Sequence, residues 1–276
     1  MRGHDEDCYG VSWCPVYGTD WRLVSSSRDK TLRIWSHAQG KSTHKLKLPQ
    51  GIGENVNMNM RMKREFIILF AGSKRGYQQG QSSSFLTCQW LDENRILSSG
   101  ESGELVLWDL NTPEKKDGYK FDILHREHNR SLFSICVSGN LVYSVGQDRI
   151  VTVLQINSKR VLYSLPTLNG FAYCLASNPI DPSILAIGAG DGLIRVWKTG
   201  SQKLFDLRHL RLNQSKVMSL AWHPVREGLL ALGTDEGRVG WVDALGSRNQ
   251  ISFSNFQHRG GVYSVTWGPG IAGNYL

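Results

Sequence analysis

Six residues stand just ahead of a short apolar strand that recurs along the 276-residue chain: Asp7, Phe85, Arg130, Phe171, Lys216 and Tyr263. Three carry aromatic rings and two carry a full positive charge. Rings with a free face accept unpaired bases by stacking, and cations beside them meet phosphates, a combination suited to single-stranded RNA. Each stacked base contributes about 1–3 kcal/mol. Two such rings facing each other could also sandwich a methylated, positively charged guanine. The competing reading places the same rings in the interior, since an aromatic at a strand start commonly packs in the core, and makes Lys216 a solvated charge.

No comparable set points to catalysis. The sequence holds no G-x-S-x-G, no phosphate-binding P-loop and no H-E-x-x-H. The eight histidines do not fall at ligand spacing, and the five cysteines (Cys8, Cys14, Cys88, Cys136 and Cys174) form no C-x-x-C pair. The glycine-rich GAGDG at 188–192 belongs to a repeat turn rather than a strand-to-helix phosphate loop. The expectation is a binding protein, not an enzyme, with neither metal nor cofactor.

The odd cysteine count fits a reducing compartment rather than a disulfide framework. Residues 1–12 are polar and acidic, unlike a signal peptide, and the apolar run from Phe66 to Ala71 is far too short to cross a bilayer. Net charge is +8 with an isoelectric point near 9.3, which favours polyanionic partners. Half of that excess comes from Arg61, Lys63, Arg64, Lys74 and Arg75 set against Glu65.

The elements that position the six residues come from an internal repeat. SSSRDKTLRIW (25–35), SSGESGELVLW (98–108), SVGQDRIVTVL (144–154), IGAGDGLIRVW (187–197) and LGTDEGRVGW (232–241) share a turn, an alternating apolar strand and a bulky closing residue. The last three closing steps are 46, 43 and 44 residues, the period of WD repeats. Opening strands ending at Trp13, Trp90, Trp222 and Trp267 agree, with LFSICV (132–137) and FAYCLAS (171–177) as degenerate copies. A blade cannot bury both faces alone, so neighbours stack around an axis. The fold expected is all-β: an incomplete WD40-type propeller of about five blades plus the opening part of a sixth. Residues 1–48 form one blade, 49–81 a basic insertion or loop, and 82–276 further blades, the last truncated. In the first blade, Gly3-His4, a serine among Ser25–Ser27, Asp29 and Trp35 suggest a structural hydrogen-bond network. The turn aspartates Asp29, Asp148, Asp191 and Asp235 should bond within their hairpins, and Trp13, Trp35, Trp108, Trp197 and Trp222 should pack between strands or blades.

Several stretches carry more than a repeat. RGHDEDCYGVSWCP, SRDKTLRIWS, LPTLNGFAYCLA, LAIGAGDGLIRVW, SKVMSLAWHPVREGLLALGTDEGRVG and VYSVTWGP resemble the N-terminal propeller of the fifth Gemin family, RNA-binding subunits of the survival-of-motor-neuron (SMN) complex. The likeness runs with interruptions from Arg2 to Pro269. It implies twin seven-bladed propellers that bind the Sm-site region of small nuclear RNAs and the 7-methylguanosine cap, for spliceosomal snRNP assembly. It also implies SMN-complex protein partners, no membrane, and residence in cytoplasm and nucleus, including nuclear bodies. Under it, Phe171 matches the stacking Phe, Phe85 replaces a Trp, and Tyr263 matches an RNA-contacting Tyr. Arg130 and Arg149 match arginines at the RNA face, and Asp7 replaces a Glu able to accept from a guanine edge. A protein-only interaction scaffold is the alternative.

Overall fold

The computed structural model describes residues 3–16, 20–48, 84–114, 118–167, 170–200, 208–212, 215–246 and 250–268. The basic segment expected at 49–81 lies outside them. Five four-stranded antiparallel sheets follow one another, each built in simple sequence order. Blade one holds β1 (Cys8–Trp13), β2 (Arg22–Ser27), β3 (Leu32–Ser36) and β4 (Lys41–Leu46); blade two holds β5 (Phe85–Trp90), β6 (Arg95–Gly100), β7 (Leu105–Glu114) and β8 (Gly118–His125). Blade three holds β9 (Leu132–Ser138), β10 (Leu141–Gly146), β11 (Ile150–Gln155) and β12 (Arg160–Pro166). Blade four holds β13 (Ala172–Ser177), β14 (Ile184–Ala189), β15 (Leu193–Lys198) and β16 (Arg208–Arg211); blade five holds β17 (Val217–Trp222), β18 (Leu229–Thr234), β19 (Arg238–Asp243) and β20 (Ser252–Gln257).

The core lies between blades. Val24, Leu32, Ile34 and Leu46 of blade one pack against Phe85, Cys88, Trp90 and Ile96 of blade two. The interface of blades four and five joins Ile184, Ala186, Ile194 and Val196 to Val217, Leu220, Trp222 and Leu232. These are the alternating apolar positions of the repeat strands, each sheet burying a face that it could not bury alone.

The expected network of blade one is present. Trp35 Nε1 donates to Ser25 Oγ at 2.7 Å, His4 Nε2 sits 2.7 Å from the same hydroxyl, and His4 Nδ1 is 2.9 Å from Asp29. Blade three repeats it with His128, Asp148 and Ser144, at 2.8 and 2.9 Å. Asp29, Asp148 and Asp191 each accept a backbone N–H two residues on, closing their hairpins. Asp235 departs from the pattern and accepts the backbone N–H of Lys216.

Two expectations need correction. Trp13 does not pack between blades: it is 57% exposed, whereas Trp90 and Trp222, at the same strand position, are 4% and 6% exposed. Among the described residues no blade covers that face of blade one. Residues 258–268, where the opening strand of a sixth blade was expected, contain no strand. That segment instead runs along β17: Ser219 Oγ donates to the Val262 carbonyl at 2.9 Å and Trp267 Nε1 to the Ala221 carbonyl at 3.0 Å.

Candidate nucleic-acid interface

A shared irregularity builds one end of the blade array. In β1, β5, β13 and β17 the pairing register slips just after the first residue, and in blade three it slips opposite Leu132. Such a bulge leaves one residue unpaired and re-aims its side chain. The residues in that slot are Tyr9, Leu86, Phe133, Tyr173 and Met218.

The residue before each opening strand forms a second ring of positions. The carbonyls of Asp7, Ser84, Ser131, Phe171 and Lys216 each accept a backbone N–H from their own blade's b–c turn, at 2.8–3.1 Å. By this hydrogen-bond register Phe171 is equivalent to Ser84. Phe85 is equivalent to Ala172, Leu132 and Val217, each the first residue of its strand. A shift of one residue sends a side chain to the opposite face. Phe85 is therefore not at the rim: it is 0% exposed and packs edge-on against Trp108, with ring centroids 6.0 Å apart. The two-ring sandwich of Phe85 and Phe171 does not form.

The other expected residues are accessible. Phe171 is half-buried, and Asp7, Arg130, Arg149 and Tyr263 are exposed. Tyr263 is 76% exposed. Lys216 is exposed and pairs with Asp235 at 3.6 Å. Arg149 and Phe171 are brought into direct contact, the guanidinium carbon lying 5.4 Å from the ring centroid.

Sequence reasoning missed two further rings. Phe133 and Tyr173 stack nearly parallel across neighbouring blades, centroids 5.4 Å apart and planes 15° apart. Tyr173 meets Phe171 edge-on at 6.5 Å. Phe133, Tyr173, Phe171 and Arg149 thus form one partly exposed array across blades three and four. The available signal was their common place, second in the opening strand, in LFSICV and AYCLAS.

Arg149 is also unusual in its backbone. Lys30, Gly103, Arg149, Gly192 and Gly237 occupy one position in the b–c turns of the five blades, all with positive φ, and Arg149 has φ 64°. Three blades place glycine there, which adopts this region without steric cost. A side chain kept at such a position is strained, and strain of this kind gathers at functional sites.

Burial and the neighbouring His128 push the imidazole of His125 down to about 4. Burial opposes ionisation of Asp29, but hydrogen bonds from Thr31, His4 and the Asp5 N–H prevail and hold its carboxyl at about 2. Among the described residues no group of three His, Cys, Asp or Glu side chains is placed to hold a metal ion.

Comparison with known proteins places this geometry in context. The family "WD domain, G-beta repeat" matches residues 1–36. Human Gem-associated protein 5 is 31% identical across 98% of the chain, and the mouse protein is likewise 31% identical. "Component of gems protein 5" of Dictyostelium discoideum is 24% identical over 90% of the chain. The chain spans 19% of the length of the human and mouse relatives and 22% of the Dictyostelium one. Among solved structures, the computationally designed Ika8 protein superposes with a TM-score of 0.65 at 18% identity, covering 96% of this chain and 67% of that one.

Proposed function

The chain is a WD-repeat relative of Gem-associated protein 5, and from that premise we propose that it binds unpaired segments of small nuclear RNA for SMN-complex-mediated assembly of spliceosomal snRNPs. Its partners in this reading are single-stranded RNA and SMN-complex proteins, in cytoplasm and nucleus. The observation that carries the reading is the array of Phe133, Tyr173, Phe171 and Arg149, with Arg130 on the adjoining loop. Bases lie against the rings, the two arginines meet phosphate or base planes, and Tyr263 and Asp7 extend the same rim. The net charge of +8 draws the polyanion in and makes binding salt-dependent. The expected cap contact rested on Phe85 as well as Phe171, and Phe85 is withdrawn from the site.

The protein-only scaffold keeps one specific observation in its favour. The uncovered face of blade one exposes Val11, Trp13 and Trp21, an apolar patch that suits a protein surface. One experiment separates the two readings. Phe171→Ala should weaken binding of a short uridine-rich single strand by about 5- to 150-fold, the loss of one stacking contact. Its circular dichroism should match wild type. Unchanged RNA affinity in a folded Phe171→Ala protein contradicts the assignment.

A further inference from the structure

In blades one and three the b–c turn is held from outside its own hairpin. His4 reaches from the entering loop to Asp29 at 2.9 Å and to Ser25 at 2.7 Å, and His128 does the same with Asp148 and Ser144. Blade four has no hydroxyl at the serine's place. Ser25 pairs across its hairpin with Arg33 and Ser144 with Thr152, and in the same register Ile187 pairs with Arg195. Ile187 is fully buried in the core. The turn aspartate of blade four is gripped instead by its own hairpin. Arg195 Nη1 donates to Asp191 Oδ1 at 3.0 Å and Nη2 donates to Oδ2, from a side chain that is 1% exposed. The equivalent Arg33 of blade one faces Asp5 at 4.0 Å, while His4 holds Asp29.

The turn fixed in this way is the seat of two rings. The Gly190 N–H donates to the Phe171 carbonyl at 2.8 Å. A methyl group at Gly190 would stand 3.0 Å from Cε2 of Tyr173, and one at Gly170 would stand 2.6 Å from the Asp191 nitrogen. The turn is thus wedged between the backbone that carries Phe171 and the edge of the Tyr173 ring, and those rings meet at 81°. We propose that Arg195 is a positioning residue for RNA: through Asp191 it fixes the Gly190 turn, and the turn sets the angle and spacing at which Phe171 and Tyr173 receive a base. The proposal rests on the RNA-binding reading and adds to it a buried residue that acts through its neighbours. A planar fork on both carboxylate oxygens holds the turn in one orientation, which the point charge of a lysine does not. Rings on a surface loop keep a productive geometry only when hydrogen bonds beneath them lock the support.

The test uses the 276-residue protein and short uridine-rich single strands carrying 2-aminopurine at each position in turn, a base whose fluorescence falls when it stacks. Arg195→Lys keeps the charge and loses the fork, and Asp191→Asn keeps the shape and loses the charge. Gly190→Ala leaves the ion pair intact and presses its methyl group against Tyr173, so it tests the seat even where a pair variant fails to fold. Each variant should weaken binding about fivefold or more, the lower end of one stacking contact. Quenching of 2-aminopurine at saturating protein should also fall in each. Lost stability alone does not move that signal, because only folded protein is bound. Arg195→Lys and Asp191→Asn combined should lose no more than either alone, since both break one pair. Wild-type quenching in folded Gly190→Ala or in either folded pair variant overturns the inference, as do losses that add in the double variant. Phe171→Ala separates the two readings. If it weakens binding while these variants do not, RNA recognition stands and the positioning role falls; if it binds like wild type, both fall.

Discussion

Arg149 holds its guanidinium over the ring of Phe171, 5.4 Å from the centroid, from a turn position with φ 64° where three other blades have glycine. A charged side chain is thereby delivered to an aromatic face at the expense of local backbone strain. Arg149→Gly should relieve that strain, leaving stability unchanged or raised by up to about 1 kcal/mol. The same change should lower RNA affinity. Denaturant midpoints and RNA titrations of one preparation check both halves. Joint loss of stability and affinity would make Arg149 a structural residue.

Tyr173 is one of the two rim rings that sequence inspection overlooked, and in the proposed reading it stacks a base. Tyr173→Ala removes one member of the parallel pair with Phe133 and should weaken single-stranded RNA binding by about 5- to 150-fold. The ring is only half-buried, so the thermal midpoint should fall far less than for a core truncation.

Phe85 should behave in the opposite way. Its ring is fully buried against Trp108 in the interface of blades one and two. Phe85→Ala should cost about 3–5 kcal/mol in chemical denaturation, by lost burial and a residual cavity. Under conditions where the variant is still folded, RNA affinity should be unaltered. A selective loss of RNA binding without destabilisation would return Phe85 to the rim.

The contrast between Phe85 and Phe171 marks where the sequence was legible and where it was not. Blade number, strand order, the His4–Asp29–Ser25–Trp35 network and most turn aspartates follow from residues whose spacing repeats at the period of the fold. The rim does not. Both phenylalanines stand at the head of an opening strand, but one is the last residue before its strand and the other the first within it. Strand side chains alternate with period two, so that single step decides between solvent and core. The bulge slot hid Phe133 and Tyr173 for the same reason, because an unpaired residue breaks the alternation by which buried and exposed positions are read. Trp13 misled differently: its residue type matches Trp90 and Trp222, and only the neighbouring blade face decides its burial.

That last difference is measurable. Trp222→Ala should destabilise by about 3–5 kcal/mol, since the side chain is buried and donates to the Ala176 carbonyl at 2.9 Å. Trp13→Ala should change stability by no more than about 0.5 kcal/mol. Equal losses in urea unfolding would mean that something covers Trp13 in solution.

Acid should loosen the interface of blades two and three through His125. The folded protein holds this imidazole at about 4, against an ordinary value of 6.5. Between those values the unfolded chain takes up a proton that the folded chain refuses. The contribution to stability is therefore complete above about pH 6.5 and is lost as pH falls toward 4, by roughly 2–4 kcal/mol. Glu104, raised by burial, acts in the opposite sense as pH rises. The readout is therefore the difference between wild type and His125→Asn, whose stability should vary less over this window. Parallel pH profiles for the two proteins would contradict the assignment.

In the proposed reading the Phe133–Tyr173–Phe171–Arg149 array binds unpaired RNA. Fluorescence anisotropy of a labelled uridine-rich single strand, titrated with the protein across a salt series, tests it most directly. Binding should be saturable, with a logarithmic affinity that falls linearly with the logarithm of salt by about 0.7 for each phosphate contact, and duplex RNA of equal length should compete poorly. No binding at low salt, or equal competition by the duplex, would contradict it.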